Sequence, residues 1–354
     1  MSADTVLAEI KNLHTYFYLA EGVVRAVDGV DLTIKAGRTL GIVGESGCGK
    51  SITALSLMQL VPSPGKIEEG EITYYHTIHK TESASTSNVI EITKLKPNSH
   101  EMRAIRGNHI SMVFQEPMAA MLPVRTVGAQ IMEAIMLHQQ VNKAEARERA
   151  IDILARAKLP NADRIVDTYP FQLSGGMRQR AVIAMALSCN PNLLIADEPT
   201  TALDVTTEAQ ILDLMRDLQQ EYNMAIMYIT HNLGVIAEMA QEVAVMYMGK
   251  VVEQTDVTSI FRNPLHPYTQ ALLRSIPQLD DVMARAGKKK RLETIRGMVP
   301  DPYSVLPGCS FHPRCPQFMQ GVCDQIAPEV IEAEPGHIVR CHLYASRSTN
   351  ARAN

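Results

Sequence analysis

No apolar run in this sequence reaches the ~18 residues that a helix needs to cross a bilayer. The best stretch, Met224 to Met248, is interrupted by His231, Asn232, Glu238, Gln241 and Glu242. The N-terminus lacks a basic segment followed by an apolar core, so it does not read as a signal peptide. The expectation is a cytosolic chain whose membrane attachment comes through a partner. Charge has no dominant sign: 34 Lys and Arg against 38 Asp and Glu leave −4, which argues against a general nucleic-acid binder. One basic run, Lys288-Lys289-Lys290-Arg291, reads as a solvated linker, with an anionic-lipid or phosphate contact as the alternative. No internal repeat and no heptad stretch is present. A reducing compartment makes the six cysteines metal ligands or buried thiols rather than disulfides.

What is there is an ordinary globular composition, 46% hydrophobic and 20% charged. At 354 residues the chain is too long for one typical domain, so one large and one small domain are expected. Residues 6–35 read as strands. Thr39-Leu40-Gly41-Ile42-Val43 is a short apolar run of the kind a buried parallel strand requires. A helix is expected from Ser51 to Leu60. Further strands are expected over 70–95, split by Thr81-Glu82-Ser83-Ala84-Ser85-Thr86-Ser87 as an exposed, mobile insertion. Residues 127–159 have helical period. Glu145, Glu148, Arg149, Asp152 and Arg156 share one face, and Ala146, Ala150, Ile153 and Ala157 share another, with Leu154 beside them. Ala181 to Leu187 reads as helix, and Leu193 to Ala196 and Ala225 to Ile229 as strands. Past residue 255 prolines and four cysteines accumulate, which suggests a small loop-rich domain.

Gly44-Glu45-Ser46-Gly47-Cys48-Gly49-Lys50-Ser51 stands between an expected strand and helix, the context a phosphate-binding loop requires. Gly44, Gly47 and Gly49 let backbone N–H groups of the loop, including those of Ser46 and Cys48, converge on phosphates. The helix N-terminus adds partial positive charge. Lys50 would neutralise β- and γ-oxygens and Ser51 would ligate Mg²⁺. Asp197 and Glu198 end an apolar strand, where successive side chains point opposite ways. We assign Asp197 to Mg²⁺ and Glu198 to the attacking water as general base. His231 follows the second apolar strand, at a distance from Asp197-Glu198 that suits a contact to the γ-phosphate and the water. The amide of Gln115 can reach Mg²⁺ or that water.

Leu173-Ser174-Gly175-Gly176-Met177-Arg178-Gln179-Arg180 resembles the signature of ABC transporter ATPases. The order of phosphate loop, Gln115, signature, Leu193 to Glu198, Ala202-Leu203-Asp204 and His231 is similar to that family over residues 6–255. The resemblance implies an α/β fold: a P-loop ABC ATPase domain over 1–255 with a RecA-like core, an antiparallel β subdomain and a helical signature subdomain at about 116–180. It implies that Ser174, Gly175 and Gly176 cap the γ-phosphate held by a facing subunit. Asp204 would belong to the loop that communicates across the dimer. Phe17 would stack on adenine, with neighbouring Tyr16 as the alternative. Catalysis would rest on Glu198, His231 and Gln115, with ATP and Mg²⁺ as cofactors.

Asn263-Pro264-Leu265-His266-Pro267-Tyr268-Thr269 is similar to the segment after the ATPase core in dipeptide/oligopeptide/nickel importer ATPases. So are Gly308-Cys309, Cys315-Pro316, Cys323 and Arg340-Cys341-His342. This implies a C-terminal domain of oligopeptide-transporter type over 256–354, carrying a four-cysteine site. The implied system has two integral membrane permease subunits, an extracytoplasmic solute-binding protein and a paralogous ATPase that forms a heterodimer. The chain would lie peripherally on the cytoplasmic face of the inner membrane and power peptide uptake, with nickel or sugar and glycoside cargo as alternatives. A soluble non-transport ABC ATPase is the distant alternative. Two departures from the pattern are Met118-Ala119-Ala120-Met121-Leu122-Pro123 after Gln115 and Asn232 after His231.

Cys309, Cys315, Cys323 and Cys341 are spaced without the paired C-x2-C of zinc ribbons. By chemistry four thiolates suit a structural Zn²⁺ or a [4Fe–4S] cluster, and they need hold no metal at all. The resemblance implies the cluster. Cys48 lies where a helix N-terminus lowers a thiol pKa, which favours reactivity, while bound phosphates would oppose it. Cys189 is expected to be an inert core thiol.

Overall fold

A computed structural model describes residues 5–81, 84–115, 120–201, 203–275 and 295–345. The basic run at 288–291, Met118, Ala119 and Ala202 lie outside these residues. The loosely alternating N-terminal segment forms β1 (Val6–Leu19) and β2 (Gly22–Lys35), an antiparallel pair. β3 (Thr39–Val43) is buried at all five positions. β4 (Gly65–Thr81) and β5 (Ala84–Glu91) then complete a four-stranded antiparallel sheet of order β2-β1-β4-β5.

The expected insertion at Thr81 is largely strand. Thr81 pairs with Ala84, because Thr and Ser extend as readily as they loop and β-branched Thr favours strands; Glu82 and Ser83 lie outside the described residues. The expected continuous helix over 127–159 is two, Val127–His138 and Lys143–Arg156. Asn142 causes the break, since its side chain accepts from Glu145 N and restarts the second helix. That helix buries Ala146, Ala150, Ile153 and Leu154, with Ala157 just after it, as the 3.6-residue period requires.

The larger sheet adds β6 (Ile110–Val113), β7 (Leu193–Asp197), β8 (Ala225–Thr230), β9 (Glu242–Tyr247) and β10 (Lys250–Asp256). The tail contributes β11 (Ile331–Glu334) and β12 (His337–Val339). Its order among the described residues is β11-β12-β10-β9-β3-β8-β7-β6. Strands β9, β3, β8, β7 and β6 are parallel neighbours. β7 and β8 are buried throughout, which is why they read as unbroken apolar runs. Val43 pairs with Thr230, and Asp197 with Ile229. The three strands therefore end together, and the phosphate loop, Asp197-Glu198 and His231 leave one edge, where open α/β sheets bind ligands.

The expected C-terminal region over 256–354 is joined to the ATPase sheet. β12 pairs with β10 through Glu253↔Val339 and Gln254↔Ile338, and Phe311 enters the main core. Its ring lies 5.2 Å from that of Tyr247 and 5.4 Å from that of Tyr268. The tail is short of apolar residues, so it borrows the core of the ATPase sheet rather than building a large one of its own.

Candidate functional site

The phosphate loop joins β3 to the helix Lys50–Leu57. A Cβ on Gly49, at φ +104°, would lie 2.1 Å from the carbonyl oxygen of Ala26, so only glycine permits this close approach. Lys50 is buried, and its Nζ donates to the carbonyls of Gly44 at 2.8 Å and Glu45 at 3.1 Å. The ammonium is thus held inside the loop it serves. Ser51 Oγ donates to Asp197 Oδ1 at 3.0 Å. A hydroxyl and a carboxylate side by side are hard oxygen donors of the kind Mg²⁺ takes alongside phosphate oxygens and water. These residues fit that ion. Burial pushes the Asp197 carboxyl above its usual range, against the Ser51 hydrogen bond.

Glu198 is the meeting point of the other candidates. Its Oε1 lies 3.0 Å from His231 Nδ1, while Oε2 accepts from Gln115 Nε2 at 3.2 Å and Thr201 Oγ1 at 3.0 Å. Burial alone would raise this carboxyl. The bonds from His231 and Thr201, with the charges of His231 and Lys50, outweigh it and hold the group below its ordinary value. Glu198 is therefore a carboxylate at neutral pH, as a base must be.

Ser174 caps the helix Gly175–Leu187, its hydroxyl accepting from Met177 N at 3.3 Å. A Cβ on Gly175 would meet nothing within 4 Å, whereas one on Gly176 would lie 2.7 Å from Thr207 Cγ2. The first glycine faces open space and the second seals the helix against its neighbour. Asp204 caps that neighbour, Val205–Tyr222, accepting from Thr206 N, Thr207 N and Thr207 Oγ1. Both caps are exposed.

A cavity of about 360 Å³ adjoins the loop, lined by Val24, Ser46 and Gly47 and, from the tail, Pro300, Leu306 and Ser310. Phe17 is half-buried and does not line it. Its ring rests on Gly65, where a Cβ would lie 2.6 Å from Cε1. Tyr16 donates to Asp28 Oδ1 at 2.8 Å and lies under Arg25, so its hydroxyl and one ring face are already engaged.

The reactive Cys48 expected from the helix N-terminus is corrected. The thiol is buried, and burial raises its pKa further than the Lys50 charge lowers it. Cys189 is buried as expected, just beyond the helix end rather than within it. The tail cysteines are neighbours: Cys309 N donates to Cys323 O at 2.8 Å. Burial, with a smaller contribution from Cys309, Cys315 and Cys323, pushes the Cys341 thiol up to about 12. Among the described residues, however, no group of three or more His, Cys, Asp or Glu side chains is arranged to hold a metal ion. The expected four-thiolate centre is not formed in this arrangement.

Three further residues, Thr201, Tyr268 and Arg314, have a place at the site that the sequence did not assign. Thr201 braces Glu198. Tyr268 OH accepts from Glu45 N at 2.9 Å, and Arg314 pairs with the Glu45 carboxylate. The tail motifs that contain Tyr268 and flank Arg314 were visible, but nothing local links them to Glu45.

Family models for "ABC transporter" match residues 27–201, and for "Oligopeptide/dipeptide transporter, C-terminal region" residues 252–323. Among curated proteins, the oligopeptide transport ATP-binding protein AppD of Bacillus subtilis is 48% identical over 341 residues, covering 96% of this chain and 97% of that protein. The dipeptide transport ATP-binding protein DppD of Escherichia coli is 42% identical, covering 95% and 96% respectively. Among solved structures, the dimeric ATP-binding cassette MJ0796 bound to ADP and Pi aligns with a TM-score of 0.59 at 28% identity, over 71% of this chain and 99% of that one. With its phosphate loop, Asp197-Glu198 and signature helix placed as described, the chain belongs to the ABC transporter ATPases and carries the C-terminal region of the oligopeptide/dipeptide transporters.

Proposed function

We propose that this chain is the ATP-hydrolysing subunit of a peptide importer. The observation that carries the reading is the constellation at Glu198, a carboxylate gripped by Gln115, Thr201 and His231 beside the Ser51–Asp197 pair. Mg²⁺ bound there with ATP would neutralise phosphate charge, and Ser51 and Asp197 would hold it. Glu198 takes the proton of the attacking water, and His231 and Gln115 orient that water and register the γ-phosphate. Hydrolysis is completed by a second ATPase subunit whose signature faces this phosphate loop. The open space before Gly175 supports the reciprocal contact. A paralogous ATPase, two integral permease subunits and an extracytoplasmic binding protein complete the machine. Among the described residues no helix is long and apolar enough to cross a membrane, which fits a peripheral subunit on the cytoplasmic face.

Co-expression with its permeases, reconstitution into vesicles and addition of peptide-loaded binding protein tests this. ATP-dependent peptide uptake, with ATPase activity rising on peptide loading, is the expected result. Nickel or glycoside uptake without peptide uptake would change the cargo, and loss of membrane association despite co-expressed permeases would overturn the importer reading.

Two finer assignments rest on resemblance. Phe17 is the base-stacking aromatic, tested by the affinity of Phe17→Ala for ATP. A [4Fe–4S] cluster on the tail thiols would require them to rearrange, since no metal-holding group is arranged among the described residues; iron and sulfide analysis of anaerobically purified protein tests it.

A further inference from the structure

Glu45 is the second residue of the phosphate loop, and the tail holds it at two of its polar groups. Its backbone N–H donates to Tyr268 OH at 2.9 Å. Its carboxylate takes both arms of Arg314, Nη1 to Oε2 at 2.7 Å and Nη2 to Oε1 at 3.0 Å. Its remaining polar group, the carbonyl, accepts from Lys50 Nζ at 3.1 Å. The hold is stiff. The Arg314 side chain is only 4% exposed, Nε donates to Arg296 O at 3.0 Å, and the guanidinium lies over the Tyr247 ring. Tyr268 is fully buried, its ring against both Tyr247 and Phe311. A bidentate guanidinium–carboxylate pair fixes direction as well as distance, and a partly buried pair such as this one is screened less by salt than an exposed one.

The loop binds phosphate by backbone geometry, so the residue that sets the direction of its first peptide units sets the grip. The geometry points to Arg314 as a positioning residue for the phosphate loop: through Glu45, together with Tyr268, it orients the loop and the Lys50 ammonium, so that the tail of this chain helps set its affinity for nucleotide. Among the described residues Arg314 bonds Glu45, Tyr247 OH and Arg296 O, so it acts on the loop through Glu45. The role rests on the ATPase reading above and goes beyond it, because it makes the C-terminal region part of the nucleotide site. The same region walls the cavity beside Ser46 and Gly47.

The test uses the full chain with Mg²⁺ and ATP, measuring binding by calorimetry and turnover by phosphate release. Arg314→Met and Glu45→Gln are each expected to weaken ATP binding and raise KM by about ten-fold, with kcat falling less. The double variant is expected to be no weaker than either single one, since both remove the same pair. Arg314→Lys, which keeps charge without the fork, should recover part of the loss. Tyr268→Phe removes one hydroxyl while leaving its ring packed, and should weaken ATP binding by roughly threefold; it serves if Arg314→Met does not fold. Wild-type affinity in Arg314→Met or Tyr268→Phe, additive losses in the double variant, or a fall in kcat at unchanged KM would each overturn the proposal. Absence of ATP binding by the wild-type chain would instead overturn the ATPase reading.

Discussion

His231 and Glu198, 33 positions apart in sequence, meet through Nδ1 and Oε1 at 3.0 Å. Parallel pairing of β7 with β8 makes the encounter possible by ending both strands at the same edge. The imidazole helps keep Glu198 ionised and reaches outward, with 64% of its side chain exposed. Replacing Glu198 by Gln removes the base but keeps the size of the side chain. We expect kcat to fall by about 10² to 10⁴, with ATP affinity within about threefold of wild type. His231→Ala should lower kcat as well, because the carboxylate loses its brace. Phosphate release at saturating Mg²⁺-ATP measures both, and an unaltered kcat in Glu198→Gln would remove this residue from catalysis.

The two signature glycines should separate folding from function. Gly175 has open space where a side chain would go, and Gly176 has Thr207 at 2.7 Å. Gly175→Ala should therefore leave the melting temperature within about 2 °C of wild type, a helix-compatible methyl in water being nearly free. It should nonetheless impair ATP-driven association and turnover, because the methyl enters the space a facing nucleotide needs. Gly176→Ala should destabilise the isolated chain by about 1–3 kcal/mol through overpacking. Thermal melts and sedimentation with non-hydrolysable nucleotide distinguish the two. Equal melting losses would show that both glycines serve packing alone.

Cys48 should resist alkylation. The thiol is buried and its pKa lies above the ordinary value, and attack requires an exposed thiolate. Timed iodoacetamide labelling at neutral pH, read by peptide mass spectrometry, should mark Cys48 more slowly than a free cysteine by about tenfold or more. Labelling as fast as free cysteine would mean that the loop opens readily.

Much of the site was legible because its strands are buried on both faces, and such strands leave unbroken apolar runs that end at polar catalytic residues. β3, β7 and β8 were read for this reason. The polar and apolar faces of Lys143–Arg156 were equally plain, because one side of that helix meets the core and the other water. The break at Asn142 was hidden: the period carries through it, and only the cap at Glu145 N marks the restart. The charge at the loop was misjudged at Cys48, since sequence shows the nearby helix N-terminus but not the burial that outweighs it. The bond between Glu45 and Arg314 spans 269 positions, and no periodicity or spacing encodes a contact that depends on how β10, β12 and the tail fold back onto the sheet.

His266 ties that tail to the core and should make its stability sensitive to acid. The ring is fully buried, accepts from Tyr268 N at 3.0 Å, and has its pKa pushed down to about 4 by burial, against the pull of Glu253. Glu253 is itself buried and takes bonds from Leu265 N, His266 N and His337 Nε2. In the unfolded chain His266 takes a proton near pH ~6.5, while the folded chain refuses it until about 4. The unfolded state thus binds more protons between these values. The stabilisation is complete above pH ~6.5 and is lost as pH falls toward 4, to a depth on the order of 3 kcal/mol. His266→Asn keeps a side-chain acceptor for Tyr268 N but cannot titrate. Urea midpoints measured from pH 7 to 4.5 should fall more steeply for wild type than for this variant. Parallel curves would mean that the ring is protonated within the fold and that Glu253 absorbs the charge.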